Sequence, residues 1–303
     1  MRIIIIGGSG FLSGTLARTA VQDGHQVSVI TRGQRPVPDG VSGITADRRD
    51  AATFAAAITS TQRDQGVPWD LVIDCIGYEA EDARQDIAVF RNLAHHFVFV
   101  STDFVYDPAR RQFPQSEGNE HFLTDDSYGA KKRRCELEFI NDDTGDMAWS
   151  IIRPCHIYGP GSQLGCLPAH SRDPDLIRRL RAGEVLQLVG GGHFLQQPIL
   201  ASDLAAMILS CAGKPQTRGQ LYQAAGPNII ESREYYRLIA ALLGVEPHIE
   251  ELPVAAYLKE HPEHKPFLCH RIYDLSKLHA HGLAVPGTPV EEGLRQHVAS
   301  LSG

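Results

Sequence analysis

The chain has 303 residues, 43% hydrophobic and 21% charged, with a formal net charge of −7. That length supports one large domain or two intimate ones, with a full core and no need of staples. The acidic balance argues against a broad nucleic-acid footprint, and no apolar run approaches the ~18 residues of a membrane span.

In chain order, Ile3 to Ile6 is a continuous β-branched run, as expected of a strand covered on both faces. It is too short for a signal peptide and runs straight into glycines. The spacing then predicts a helix over 11–23, ended by Gly24, and a strand at Val27, Val29 and Ile30. Asp50 can cap an alanine-rich helix through about Ser60. Strands follow at 71–73, 97–100 and 149–152, with helices over 80–94 and 127–140 between them. This β-α-β-α order predicts an α/β fold with a parallel, doubly wound sheet of the Rossmann type.

After Pro154 the pattern changes. Residues 158–172 are rich in Gly, Pro and Ser and read as a loop over a pocket. A helix over 173–182, a strand over 185–189 and a helix capped by Ser202 or Asp203 come next. A short strand over 221–224 and an amphipathic helix over 231–243 follow, and residues 245–303 are mixed. The expected division is a dinucleotide-binding domain over 1–158, returning for about 195–225. A smaller C-terminal α/β lobe for substrate takes 159–194 and 226–303.

Gly7, Gly8, Ser9, Gly10, Phe11 and Leu12 follow a strand and open a helix, the context a phosphate cradle needs. Gly7 permits the tight turn, Gly10 lets a pyrophosphate approach the backbone, and the helix amides face its charge. Ser13 holds the third glycine position and is small enough for helix–strand packing. After the second strand there is no carboxylate until Asp39, where an NAD-binding fold places an acid for the ribose 2′-hydroxyl. Arg32 and Arg35 suit a 2′-phosphate instead, so NADP is the expected cofactor and NAD the alternative. Asp47 and Arg48 can touch the adenine.

Tyr128 and Lys132 stand four apart on a predicted helix and share one face. An ammonium beside a phenol lowers its pKa from ~10 toward working pH, which fits the tyrosine for proton transfer as a hydride moves. Upstream, Ser101, Thr102, Asp103 and Phe104 leave the end of a buried strand, where open α/β sheets place ligands. A hydroxyl there can hold the oxygen that Tyr128 addresses.

These features resemble an extended short-chain dehydrogenase/reductase of the NAD-dependent epimerase/dehydratase superfamily. The resemblance covers most of residues 1–225. It rests on the glycine turn, Ser-Thr-Asp-Phe-Val-Tyr at 101–106, Tyr128 with Lys132, Arg153 to Pro160, and Ile199 to Ala205. It implies a catalytic set of Thr102, Tyr128 and Lys132. It also implies cofactor contacts at Cys75, Ile76, Gly77, Ser101, Pro154 and His156, and substrate contacts at Asp103, Phe104, His156 and Gln196. The expected function is an NAD(P)-dependent reductase or epimerase acting on a carbonyl or secondary alcohol, of a sugar or sugar nucleotide.

Within the superfamily, Phe104 stands where sugar-nucleotide 4,6-dehydratases carry a glutamate, and the motif is closer to that of 4-keto-sugar reductases. Gln196 falls where many sugar-nucleotide members carry an arginine for the diphosphate, and it cannot supply that charge. Arg172, Arg178 or Arg271 could substitute. The segments at 31–33 and 74–78 resemble a group of epimerase-like proteins that includes chloroplast stem-loop RNA-binding members. A non-catalytic nucleotide-sensing or RNA-binding Rossmann protein is therefore the alternative. The resemblance also implies a homodimer through the tyrosine helix.

The six cysteines form no C-x-x-C pair and read as reduced thiols of a cytoplasmic protein. The C-terminal histidines, His261, His264, His270, His279 and His281, match no familiar zinc spacing, and no metal is expected.

Overall fold

The computed structural model describes residues 1–302, and of residues 63–65 the backbone alone. Seven parallel strands form the central sheet: β1 (Arg2–Ile6), β2 (Gln26–Thr31), β3 (Val41–Thr45), β4 (Leu71–Asp74), β5 (His96–Val100), β6 (Ala148–Pro154) and β11 (Gln220–Ala224). Their order is β11-β6-β5-β4-β1-β2-β3. Topology reverses between β1 and β4, and a crevice opens there beyond the strand ends.

Side-chain alternation explains why these runs are apolar throughout. Ile3 and Ile5 face one core cluster while Ile4 and Ile6 face another. Val98 and Val100 likewise join the first cluster, and Phe97 and Phe99 the second. Helices α1 (Phe11–Gln22) and α6 (Ala201–Leu209) supply residues to the first. Helices α2 (Ala51–Gln65), α3 (Ala80–Phe90) and α4 (Tyr128–Asn141) supply the second. Asp50 caps α2 as expected, its carboxylate accepting from Thr53 N at 3.1 Å. The cap expected of Asp203 is absent: its carboxylate accepts instead from Gly287 N, Thr288 N and the Thr288 hydroxyl, tying α6 to the C-terminal segment.

A third cluster gathers residues of the remaining segments. Short strand pairs join β7 (Ile157–Tyr158) to β10 (Ile199–Leu200), β8 (Val185–Val189) to β13 (His248–Leu252), and β9 (Leu195–Gln196) to β12 (Ile230–Glu231). Around them lie α5 (Leu176–Arg181), α7 (Ser232–Leu243), α8 (Val254–Glu260), α9 (Ser276–Ala280) and α10 (Val290–Leu301). Bridges from Gln115 to Tyr273 and from Gln196 to Arg271 carry the C-terminal segment back beneath the end of β5. Among the described residues no helix is long and apolar enough to cross a membrane.

Candidate active site

The turn after β1 is built from glycines for two separate reasons. Gly7 and Gly8 have φ of +115° and +102°, which side chains rarely adopt. A Cβ on Gly8 would also lie 2.4 Å from Val29 of β2. Gly10 precedes α1 with extended backbone, and its amide donates to Ser13 Oγ at 3.2 Å. The serine in the third glycine position thus holds the turn rather than disturbing it. The first-turn amides of α1 have no helical carbonyl and face outward. Beside them lies a cavity of about 880 Å³. A Cβ on Gly10 would meet only Ser13 Oγ, at 3.3 Å, so the backbone there is open to close approach. The turn and its cavity fit a dinucleotide pyrophosphate.

Gly7, Ser9, Gly10 and Ile76 line this cavity, as do Arg32, Arg35, Asp47 and Arg48. Arg49 and Tyr78 line it too, and sequence reasoning missed both. Arg32, Arg35 and Arg49 are exposed and make no ion pair among the described residues. Arg48 differs. Its guanidinium is held by Asp74 at 3.0 Å, Asp82 at 3.1 Å and Asp86 at 3.1 Å, and these carboxylates keep it fully charged despite burial. Arg48 thus lines the cavity with its charge already taken by this cage. Asp74 uses the same cage to accept from Ile76 N at 2.7 Å, which shapes the Cys75–Gly77 turn. The Cys75 thiol packs against the first core cluster, and burial pushes it far above its ordinary value. Leu12 also packs against that cluster. Gly77 contributes its carbonyl.

That carbonyl accepts from Lys132 Nζ at 2.7 Å, and Val100 O accepts from it at 2.6 Å. Ser127 caps α4, its hydroxyl accepting from Ala130 N at 3.4 Å, and so places Tyr128 and Lys132 on the first turns. Lys132 is buried, 4.1 Å over the Phe99 ring, and burial lowers its pKa while Asp74 partly restores it. Two of its three hydrogens are committed to carbonyls. The third is free for a ribose hydroxyl.

Thr102 and Tyr128 are brought near one another, and the Thr102 hydroxyl, which accepts from Phe104 N at 3.3 Å, acts on the Tyr128 hydroxyl. The close approach depends on Gly129. A Cβ there would lie 1.9 Å from Phe104 O, in the turn after β5. Tyr128 is 48% exposed. Burial of its hydroxyl nevertheless pushes it up to about 12, Tyr78 and Asp103 adding to the rise and Thr102 and Arg172 opposing it. The expected lowering by Lys132 is thus corrected, because burial dominates. The Tyr78 ring stands beside both groups, 6.2 Å from the Tyr128 ring and 5.5 Å from Lys132 Nζ.

Three neighbours expected to meet ligands are spent on structure. Ser101 donates to Glu136 at 2.6 Å, and Glu136 in turn takes Arg153 through both oxygens at 2.8 and 2.6 Å. Asp103 is buried, paired with Arg111 at 3.1 Å and Arg271 at 3.6 Å, and accepts from the Tyr273 hydroxyl. Gln196 is buried and donates to Cys166 Sγ and Ser232 Oγ, both at 2.9 Å. Phe104 makes an edge contact with Phe267 at 4.6 Å, an apolar wall near Tyr128. Pro154 ends β6 in the core, and His156 follows with its Nε2 buried and unpartnered. Of the C-terminal histidines, His270 accepts from Leu195 N and His281 pairs with the Tyr222 hydroxyl. His261 and His264, with Glu263, bring ligand atoms within 4.8 Å of one another, although Pro262 separates them in sequence.

A doubly wound sheet, a glycine turn at its switch point and a tyrosine–lysine helix beside it are the features that the sequence shares with extended short-chain dehydrogenases/reductases. Residues 3–225 match the model of the NAD dependent epimerase/dehydratase family, and the chain belongs to that family. It is 26% identical over 242 residues to the chloroplast stem-loop binding protein of 41 kDa b of Arabidopsis thaliana, covering 76% of this chain and 60% of that one. It is 28% identical over 341 aligned positions to 2-alkyl-3-oxoalkanoate reductase of Stenotrophomonas maltophilia, covering 99% of each. Its fold is that of UDP-glucose 4-epimerase of Thermus thermophilus in complex with NAD, with TM-score 0.75 at 18% identity, covering 100% of this chain and 99% of that one. It is equally that of UDP-N-acetylglucosamine 4-epimerase of Methanobrevibacter ruminantium in complex with UDP-N-acetylmuramic acid, with TM-score 0.78 at 18% identity and 99% and 98% coverage.

Proposed function

We propose that the chain is an NADP-dependent oxidoreductase acting on a secondary alcohol or its carbonyl. The observation that carries this reading is the packing of α4 at Gly129 against the turn that follows Thr102, which sets Tyr128 at the end of β5 with Lys132 fixed by Gly77 O and Val100 O. When bound, the dinucleotide supplies the hydride acceptor or donor. Thr102 holds the substrate oxygen. Tyr128 takes the alcohol proton in oxidation and returns it in reduction. Lys132 gives its remaining hydrogen to the ribose. Arg32, Arg35 and Arg49 support the choice of NADP, since three unpaired guanidiniums face one cavity and suit a phosphate.

Tyr128→Phe tests the mechanism. Turnover is expected to fall by about 10²–10⁴-fold, with NADPH affinity kept; full activity in the purified variant would remove Tyr128 from the chemistry. An epimerase would use the same groups twice and retain its coenzyme, so dinucleotide that co-purifies in the oxidised form distinguishes it from a reductase. On substrate the relatives diverge. The epimerases of like fold favour a sugar nucleotide, and the reductase matched over its full length favours an oxo acid.

The likeness to the chloroplast stem-loop binding protein favours RNA binding as a second reading. A gel shift with stem-loop RNA that persists at physiological salt would support it, and loss of the shift there would dismiss it.

A further inference from the structure

Helix α8 hands over directly to a second turn at His261. The His261 amide still donates to Tyr257 O at 2.9 Å, closing the helix. Pro262 then opens a turn of 3-10 helix over Pro262–Phe267, in which His264 N donates to His261 O at 3.1 Å. Proline suits that first position, since the amide it lacks would have no helical partner there. The handover brings His261, Glu263 and His264 to one point, although His-Pro-Glu-His matches no familiar zinc spacing. Their ligand atoms all lie within 4.8 Å of one another. Glu263 Oε1 is 3.6 Å from His261 Nδ1 and 3.8 Å from His264 Nε2. Zinc bonds of about 2.0–2.1 Å set tetrahedral ligands about 3.3–3.4 Å apart, so closing onto an ion takes rotation of side chains alone. None of the three residues lines the coenzyme cavity.

Tyr257 prepares one ligand. Its hydroxyl lies 2.9 Å from His264 Nδ1. With the ring proton on Nδ1 and donated to the tyrosine oxygen, Nε2 presents a lone pair toward Glu263. Ligating histidines are held in this way, one nitrogen by a hydrogen bond and the other on the metal. Stacking fixes the rings as well. Tyr257 lies over His264 at 5.7 Å and 13°, and 4.7 Å from His261, while the two imidazoles are 5.4 Å apart at 25°.

Two imidazole nitrogens and one carboxylate oxygen suit zinc, copper or nickel. Calcium and magnesium take oxygen ligands instead. Three protein ligands leave a position for water, and all three side chains are open enough for an ion to reach them from solvent. The same turn carries part of the apolar wall at the end of β5. His264 meets Phe267 edge to face at 5.8 Å, and Phe267 meets Phe104 at 4.6 Å. An ion on His264 therefore restrains the segment that holds this wall.

We propose that His261, Glu263 and His264 form a binding site for a divalent transition metal, zinc foremost, with Tyr257 orienting His264. The site does not depend on the oxidoreductase reading above.

Isothermal titration of the chelator-treated full chain with zinc chloride, and with calcium chloride beside it, tests the site. Zinc is expected to bind and calcium not. The chain holds 14 histidines and 6 cysteines, so variants must assign the zinc. E263Q and H264Q should each weaken it by about 100-fold, and Y257F, which keeps every ligand, by about tenfold. Hydrogen exchange on the wild type needs no variant: zinc should slow the amides between residues 263 and 268. No zinc binding, zinc affinity unchanged in both E263Q and H264Q, or equal affinity for calcium overturns the site. Slowed exchange confined to other segments also overturns it, and unchanged affinity in Y257F overturns the role of Tyr257.

Discussion

Arg48 and Arg49 are neighbours with opposite fates. Arg48 is 9% exposed and caged by three carboxylates, whereas Arg49 is exposed and lines the coenzyme cavity. Removing the cation from a buried cage leaves charge uncompensated, so Arg48→Met is expected to cost about 3–5 kcal/mol, read by urea unfolding. Arg49→Gln should leave stability unchanged and weaken NADP+ binding relative to NAD+. Reversed outcomes would exchange the two roles. Ser101 and Thr102 divide in the same way, Ser101 toward Glu136 and Thr102 toward Tyr128. Sequence spacing located Arg48, Ser101 and Thr102 after strands and missed Arg49. It could not tell which of two successive residues turns toward a ligand, because the deciding partners, Asp74, Asp86 and Glu136, lie far along the chain.

The strands and helices of the sheet were largely legible, because their apolar runs and caps are local signals. The closeness of elements was less so. Gly129 gives no sequence sign that α4 touches the turn after β5, yet a Cβ there would collide with Phe104 O. Gly129→Ala should separate Tyr128 from Thr102 and reduce turnover more than it reduces unfolding temperature. Unchanged turnover would show that the contact does not set the site. Between β5 and β6, His96 Nε2 lies 2.9 Å from Ser150 Oγ, whose proton goes to Thr217 O, so the imidazole Nε2 donates. Burial lowers His96 to about 4 from 6.5. Below pH 6.5 the unfolded chain binds a proton that the folded chain refuses. Stability is therefore complete above that pH and falls toward pH 4, by about 3 kcal/mol at 1.36 kcal/mol per pH unit. His96→Gln should flatten this part of the profile in urea unfolding at pH 7, 5 and 4.

For the whole molecule, the parallel, doubly wound sheet followed from the β-α-β-α order. The C-terminal segment did not, because its short strands pair across distances no local pattern records, as β8 does with β13. We read residues 1–158 with 195–225 as the coenzyme-binding part and the rest as the substrate lobe. The homodimer remains a proposal supported by Leu137 and Ile140, apolar and more than a third exposed on α4; light scattering of Leu137→Glu should give a monomer if α4 is the interface. Coenzyme binding should stabilise the folded chain by about 2.7 kcal/mol at a hundredfold excess over Kd. The most direct measurement is a titration of the wild-type chain with NADPH and NADH, repeated on Arg32→Gln/Arg35→Gln. One NADPH per chain is expected, bound about tenfold more tightly than NADH, with the preference lost in the double variant. No dinucleotide binding would contradict the site at Gly7 to Gly14, and equal affinities in the wild type would contradict the choice of NADP.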